Sequence, residues 1–141
     1  MVITLAVGTM TRFDQETINT VAATIFREAA GESFAGKMGV ASVIWARAEH
    51  SPAHLLVVVR ARKQFAGWDK RTLRIPADYP SERAWRECQH IAGLMVHGGF
   101  EPTVNAWHFY DDRLTEPPAA WGDVVFVKKI GKLKFYRKAG K

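Results

Sequence analysis

Ile18, Val21, Ala22, Ile25, Phe26 and Ala29 fall at offsets 0, 3, 4, 7, 8 and 11 from the first of them. That recurrence is the apolar stripe of an amphipathic helix, and a stripe this long must be covered by other elements. Asp14 precedes the pattern as a candidate N-cap and Gly31 follows it as a stop, so the spacing predicts a helix over about residues 15–30. The next segment, "FAGKMGVASVIWARAEH", is apolar on most faces, which predicts a largely buried second helix ended by Pro52. Gly36 and Gly39 within it weaken helix propensity but let a neighbouring backbone come close.

"PAHLLVVVRARKQF" fits a short helix or a strand equally well, because periodicity does not separate them in so short an apolar run. Gly67, Pro76 and Pro80 then punctuate a loop. A third helix starts at Ser81, with Ala84, Trp85, Cys88, Ile91, Ala92 and Met95 on one face and Gly98 and Gly99 closing it. Beyond it the chain changes character. "NAWHFY", "DVVFVKK" and "KLKFYRK" are short, aromatic or β-branched, and the last two flank an Ile130-Gly131 pair, so a small antiparallel sheet with a terminal hairpin is expected. Helices first and strands after make an α+β fold, expected as a single domain over 1–141 with its core at 15–137.

With 141 residues, 48% of them hydrophobic, the chain can build a core without metal or disulfide staples. Its one cysteine, Cys88, cannot form an intrachain disulfide and reads as a small buried apolar residue. The opening "MVITLAVGTM" has no basic residue before its apolar run and is too short to span a bilayer, so no signal peptide is expected. The net charge of +6 is concentrated at the end, where seven basic residues and no acid lie between Lys128 and Lys141. A tail of that kind suits an anionic partner such as nucleic acid, a cell-surface polymer or lipid headgroups, and equally suits simple solubilising charge.

Glu28 lies three residues after Ile25 and seven after Val21, on the flank of the apolar stripe. A carboxyl held there loses hydration, which favours the neutral acid and suits a general acid near neutral pH. A protonated carboxyl beside a sugar groove is the minimum equipment for breaking a glycosidic bond. Glu32, four residues on, can tune Glu28 or orient substrate. Two glutamates at this spacing are also an ordinary solvated pair, so spacing alone does not decide the matter.

The surroundings of the pair add a resemblance. "IFREAAGESFAGKMGVASVIWARAE" resembles the signature of the SleB-like cell wall hydrolases, with Glu28, Ala29, Gly31, Glu32, Gly36, Val40, Ala41, Val43 and Arg47 filling the pattern in order. The downstream Gln-Phe and Trp are matched by Gln64, Phe65 and Trp68. The final aromatic strand, loop Trp and glycine-led hairpin are matched by "NAWHFYDDRLTEPPAAWGDVVFVKKIGKLKFYRK", with Asn105 in place of a glycine. The resemblance covers about Ile18 to Arg137.

It implies a compact lysozyme-like domain, peptidoglycan glycan strands as substrate, and lytic transglycosylase or muramidase activity without a cofactor. It also implies Glu28 as general acid/base. Gln64, Phe65, Trp68 and Tyr110 are then groove residues, able to hydrogen-bond sugar hydroxyls or stack on sugar rings. A monomer needing no protein partner is expected, its basic tail drawn to anionic wall or outer-membrane polymers. A bare domain of this kind fits a phage endolysin, held in the host cytoplasm and passed to the wall by a separate pore protein.

Two other classes compete. His50 and His54 stand four apart beside Glu49, but Pro52 between them spoils a helical ligand pair, and no H-E-x-x-H or paired-cysteine pattern exists. A non-catalytic basic module that binds nucleic acid or the wall is the other, with Phe135 and Tyr136 interleaved among the cations as base-stacking candidates.

Overall fold

The computed structural model describes residues 11–61, 81–111 and 116–140. Its first helix, α1 (Arg12–Ala29), begins earlier than its apolar stripe implies. Thr11 is the N-cap, and Asp14 is its partner three residues in. The Asp14 N–H donates to Thr11 Oγ1 at 3.0 Å and the Thr11 N–H to Asp14 Oδ2 at 3.4 Å. This reciprocal capping box satisfies two of the donors that a helix start leaves open, so it outcompetes Asp14 as a simple cap. Thr17, Thr20 and Thr24 are buried beside the apolar stripe. The hydroxyls of Thr17 and Thr24 donate to the Phe13 and Thr20 carbonyls one turn back, which makes their burial tolerable.

Helix α2 (Phe34–Arg47) is capped by Ser33 and buried nearly all round, as its sequence implies. It stops at Arg47 rather than running to Pro52, because the chain turns through two left-handed residues, Glu49 (φ 56°) and His50 (φ 59°). The ambiguous apolar run resolves as a 3-10 turn at Pro52–His54 followed by a short helix, α3 (Leu55–Arg60). Helix α4 (Ser81–His97) packs along α1, and α2 and α3 close the remaining sides. Val21, Ile25, Ile44, Leu55, Ile91 and Met95 are fully buried where these helices meet. Cys88 lies there too, and burial pushes its thiol up to about 12.

Strands β1 (His108–Asp111), β2 (Val124–Ile130) and β3 (Leu133–Lys138) form one antiparallel sheet in the order β1-β3-β2. Pairing of Ile130 with Leu133 leaves a two-residue hairpin turn, and Gly131 supplies its positive φ of 57°. The register slips between Phe126 and Lys128, a bulge on an edge strand that also carries two lysines. Both features discourage pairing with another chain. The sheet docks on α2 through Phe135, which is 0% exposed. A Cβ at Gly39 would lie 2.5 Å from the Phe135 ring, so glycine is what lets helix and sheet approach this closely. Among the described residues no helix is long and apolar enough to cross a membrane.

Candidate active site

Glu28 occupies the last turn of α1, half-buried, on the row that carries buried Thr24 and Val21 one and two turns earlier. Four residues on, past the end of the helix, Glu32 turns its carboxylate to the β2–β3 hairpin. Its Oε1 accepts the Lys132 N–H at 3.3 Å and lies directly against Gly131, while its Cβ would sit 2.7 Å from any Cβ at Gly36. The two glycines therefore make the space in which Glu32 is clamped between α2 and the hairpin. Glu32 ties the helical layer to the sheet beside Glu28.

Lys37 fixes the same corner from beneath. Its side chain is only 3% exposed, yet Nζ donates to the Glu32 carbonyl at 2.6 Å and pairs with Glu87 of α4 at 3.1 Å. A buried ammonium is tolerable only with such partners. One cation thus binds the α1–α2 turn, α2 and α4 together.

Tyr110 does not present a free hydroxyl to solvent. It is 7% exposed, its ring stacks on Tyr136 with centroids 5.4 Å apart, and the two hydroxyls lie 3.1 Å apart in a hydrogen bond. Burial, together with that bond, pushes the Tyr110 phenol up to about 12. Trp121, in a 3-10 turn at Ala119–Trp121, covers this cluster. Gln64, Phe65 and Trp68 lie outside the described residues.

Three residues given no role by sequence reasoning organise the start of β1. Arg47 donates through Nε to the Trp107 carbonyl at 2.8 Å, and its guanidinium lies 3.2 Å from His108 Nδ1. Burial lowers this guanidinium to about 10. As Arg47 only donates, Nδ1 must accept, which leaves the proton of neutral His108 on Nε2. Trp121 stacks on the imidazole at 4.3 Å and 11°. Burial first, then the charges of Arg47 and Lys138, push His108 down to about 4. An arginine at the end of an otherwise apolar buried helix was the available signal for Arg47. Trp121 was marked only as the loop Trp of the resemblance, and His108 had no signal.

The rival chemistries fare differently from the glycan reading. His50 stacks on Trp45, whereas His54 Nδ1 meets the Ala48 carbonyl at 3.2 Å, so the two imidazoles serve separate contacts. No group of three or more His, Cys, Asp or Glu side chains able to hold a metal occurs among the described residues. Phe135 is core and Tyr136 belongs to the aromatic cluster, so neither is laid out as a platform for bases.

Residues 31–136 match the family model described as cell wall hydrolase, a span that begins just after Glu28 and includes Glu32. The chain belongs to the cell wall hydrolase family. Its fold matches that of the catalytic domain of the germination-specific lytic transglycosylase SleB from Bacillus anthracis, with a TM-score of 0.63 and 22% identity. That match covers 91% of this chain and 97% of the other. The catalytic domain of the Bacillus cereus SleB protein matches with a TM-score of 0.62 and 24% identity, over 86% of this chain and 89% of that one. A search of curated proteins gives no match. The lysozyme-like α+β architecture expected of this hydrolase is thus the one it adopts, with the α1–α2 corner and the hairpin brought together at one end.

Proposed function

We propose that this hydrolase cleaves the glycan strand of peptidoglycan as a lytic transglycosylase, with Glu28 serving as acid and then as base. The observation that carries the proposal is the seat of Glu28, half-buried on the final turn of α1, four residues before the Glu32 that is clamped to the hairpin. The Glu28 carboxyl donates its proton to the glycosidic oxygen as the C1–O bond breaks and positive charge spreads over the muramyl ring. The 6-hydroxyl of the same sugar then attacks C1, and its proton returns to the Glu28 carboxylate. The product is an anhydro sugar, and no water is consumed.

Glu32 is committed to the hairpin backbone, so its part is to position the corner. Two similar folds are SleB catalytic domains, one of them that of a germination-specific lytic transglycosylase, which supports the reaction class. The Lys-rich hairpin and tail would hold the enzyme near anionic wall polymers by screened attraction. The endolysin reading extends the same proposal: production in a bacterial cytoplasm is silent until the inner membrane is opened, and lysis before opening contradicts it.

Glu28→Gln keeps shape and removes the titrating proton. It is expected to lower the rate of wall lysis by about 10²–10⁴-fold with wall binding retained. Muropeptide masses lacking one water identify transglycosylation. Undiminished lysis by the variant removes Glu28 from the chemistry, and products that retain the water make the enzyme a hydrolase.

A further inference from the structure

Further along α2 from the Glu32 clamp lie two adjoining hollows, of about 280 Å³ and about 100 Å³, that share Ala46 and Asn105 as lining. Together they form one trough between the C-terminal half of α2 and the segment 102–107. We propose that this trough is a second binding site, which takes the carboxylate-bearing peptide attached to the glycan rather than the sugar chain. It rests on peptidoglycan being the substrate.

The lining fits that ligand. Half-buried Ala46 provides a small apolar surface suited to a methyl group, with Val104 and Ala106 buried behind it, and the exposed Asn105 amide can both donate to and accept from a peptide backbone. Arg137 and Lys138 stand at one end, and no Asp or Glu is among the lining residues. The Lys138 ammonium lies 4.5 Å from the centre of the Trp107 ring, which leaves that face covered and unsuited to sugar stacking. An anionic, methyl-bearing, extended ligand matches this surface; a neutral sugar ring does not.

The trough is also held in shape. The Ser42 hydroxyl donates to the Met38 carbonyl at 2.8 Å and accepts the Thr103 N–H at 2.9 Å, pinning the wall to the helix. The Trp107 N–H donates to the Tyr136 carbonyl at 2.8 Å. At the other end His50 is kept left-handed by its N–H bond to the Trp45 carbonyl and its stack on that indole.

The test titrates the full chain with three probes while the Trp107 indole and Asn105 amide signals are followed by NMR. The probes are a free stem tetrapeptide, the same peptide with its carboxylates amidated, and a peptide-free glycan oligomer. The tetrapeptide is expected to move both signals. Amidation or Lys138→Ala should weaken binding about fivefold to tenfold. Ala46→Phe, which fills the trough, should abolish the shifts while the thermal midpoint certifies the fold. Silence with the tetrapeptide at millimolar concentration, equal binding of the amidated form, or shifts caused by the bare glycan would each overturn the site. Cleavage of the peptide-free oligomer, read separately, reports on the glycan reaction, so the two proposals fail independently.

Discussion

Acidification should unfold this protein through His108 in a way that one substitution can isolate. The imidazole is 9% exposed, stacked under Trp121, and faces the Arg47 guanidinium at 3.2 Å with Lys138 adding charge. Its value falls from 6.5 to about 4, so the folded state resists a proton that the unfolded chain accepts. Between those two values the unfolded state binds up to one proton more, and stability therefore drops as pH falls, by up to ~1.4 kcal/mol per unit. Across the window the loss is of order 1–3 kcal/mol, complete near pH 4 and absent above pH 6.5. His108→Asn keeps an acceptor near the Nδ1 position and removes the titration. Urea unfolding of both proteins at half-unit steps from pH 7 to pH 4 cancels the contribution of every carboxylate common to them. The wild type should lose that additional increment relative to the variant. Parallel profiles, or an NMR titration of His108 near pH 6.5, would refute the reasoning.

Two further outcomes test how α2 is held, at its buried ion pair and against the sheet. Lys37→Met removes the buried cation that pairs with Glu87 and takes from the Glu32 carbonyl the ammonium that donates to it. It should cost about 3 kcal/mol in chemical denaturation, with most recovered by adding Glu87→Leu. A lone substitution costing nothing would show the pair to be incidental. Gly39→Ala places a methyl against the Phe135 ring and should cost about 1–3 kcal/mol, relieved by Phe135→Leu. Additive effects in that double variant would mean that the close approach does not matter.

The helices were readable because their information is local. The stripe from Ile18 to Ala29 and the all-round apolar face of Phe34–Arg47 each specify a buried surface whatever the partner. The hairpin was readable for the same reason, since Ile130-Gly131 sits between two β-rich runs. Boundaries were less so: Thr11 displaced Asp14 as cap, and the left-handed Glu49 and His50 ended α2 before Pro52. In both cases hydrogen bonds among a few residues competed with a pattern read over many.

Sequence by itself determined that Glu28 sits on the flank of an amphipathic helix, because i to i+3 and i+7 geometry follows from the helical repeat alone. Tertiary structure alone decided the use of the residues around it. Glu32 became a clamp on Lys132, Lys37 a buried tie to Glu87, and His108 a neutral acceptor for Arg47. Each of those roles joins groups brought together from separate elements, and a side chain's charge state and partners depend on which distant atoms share its loss of water.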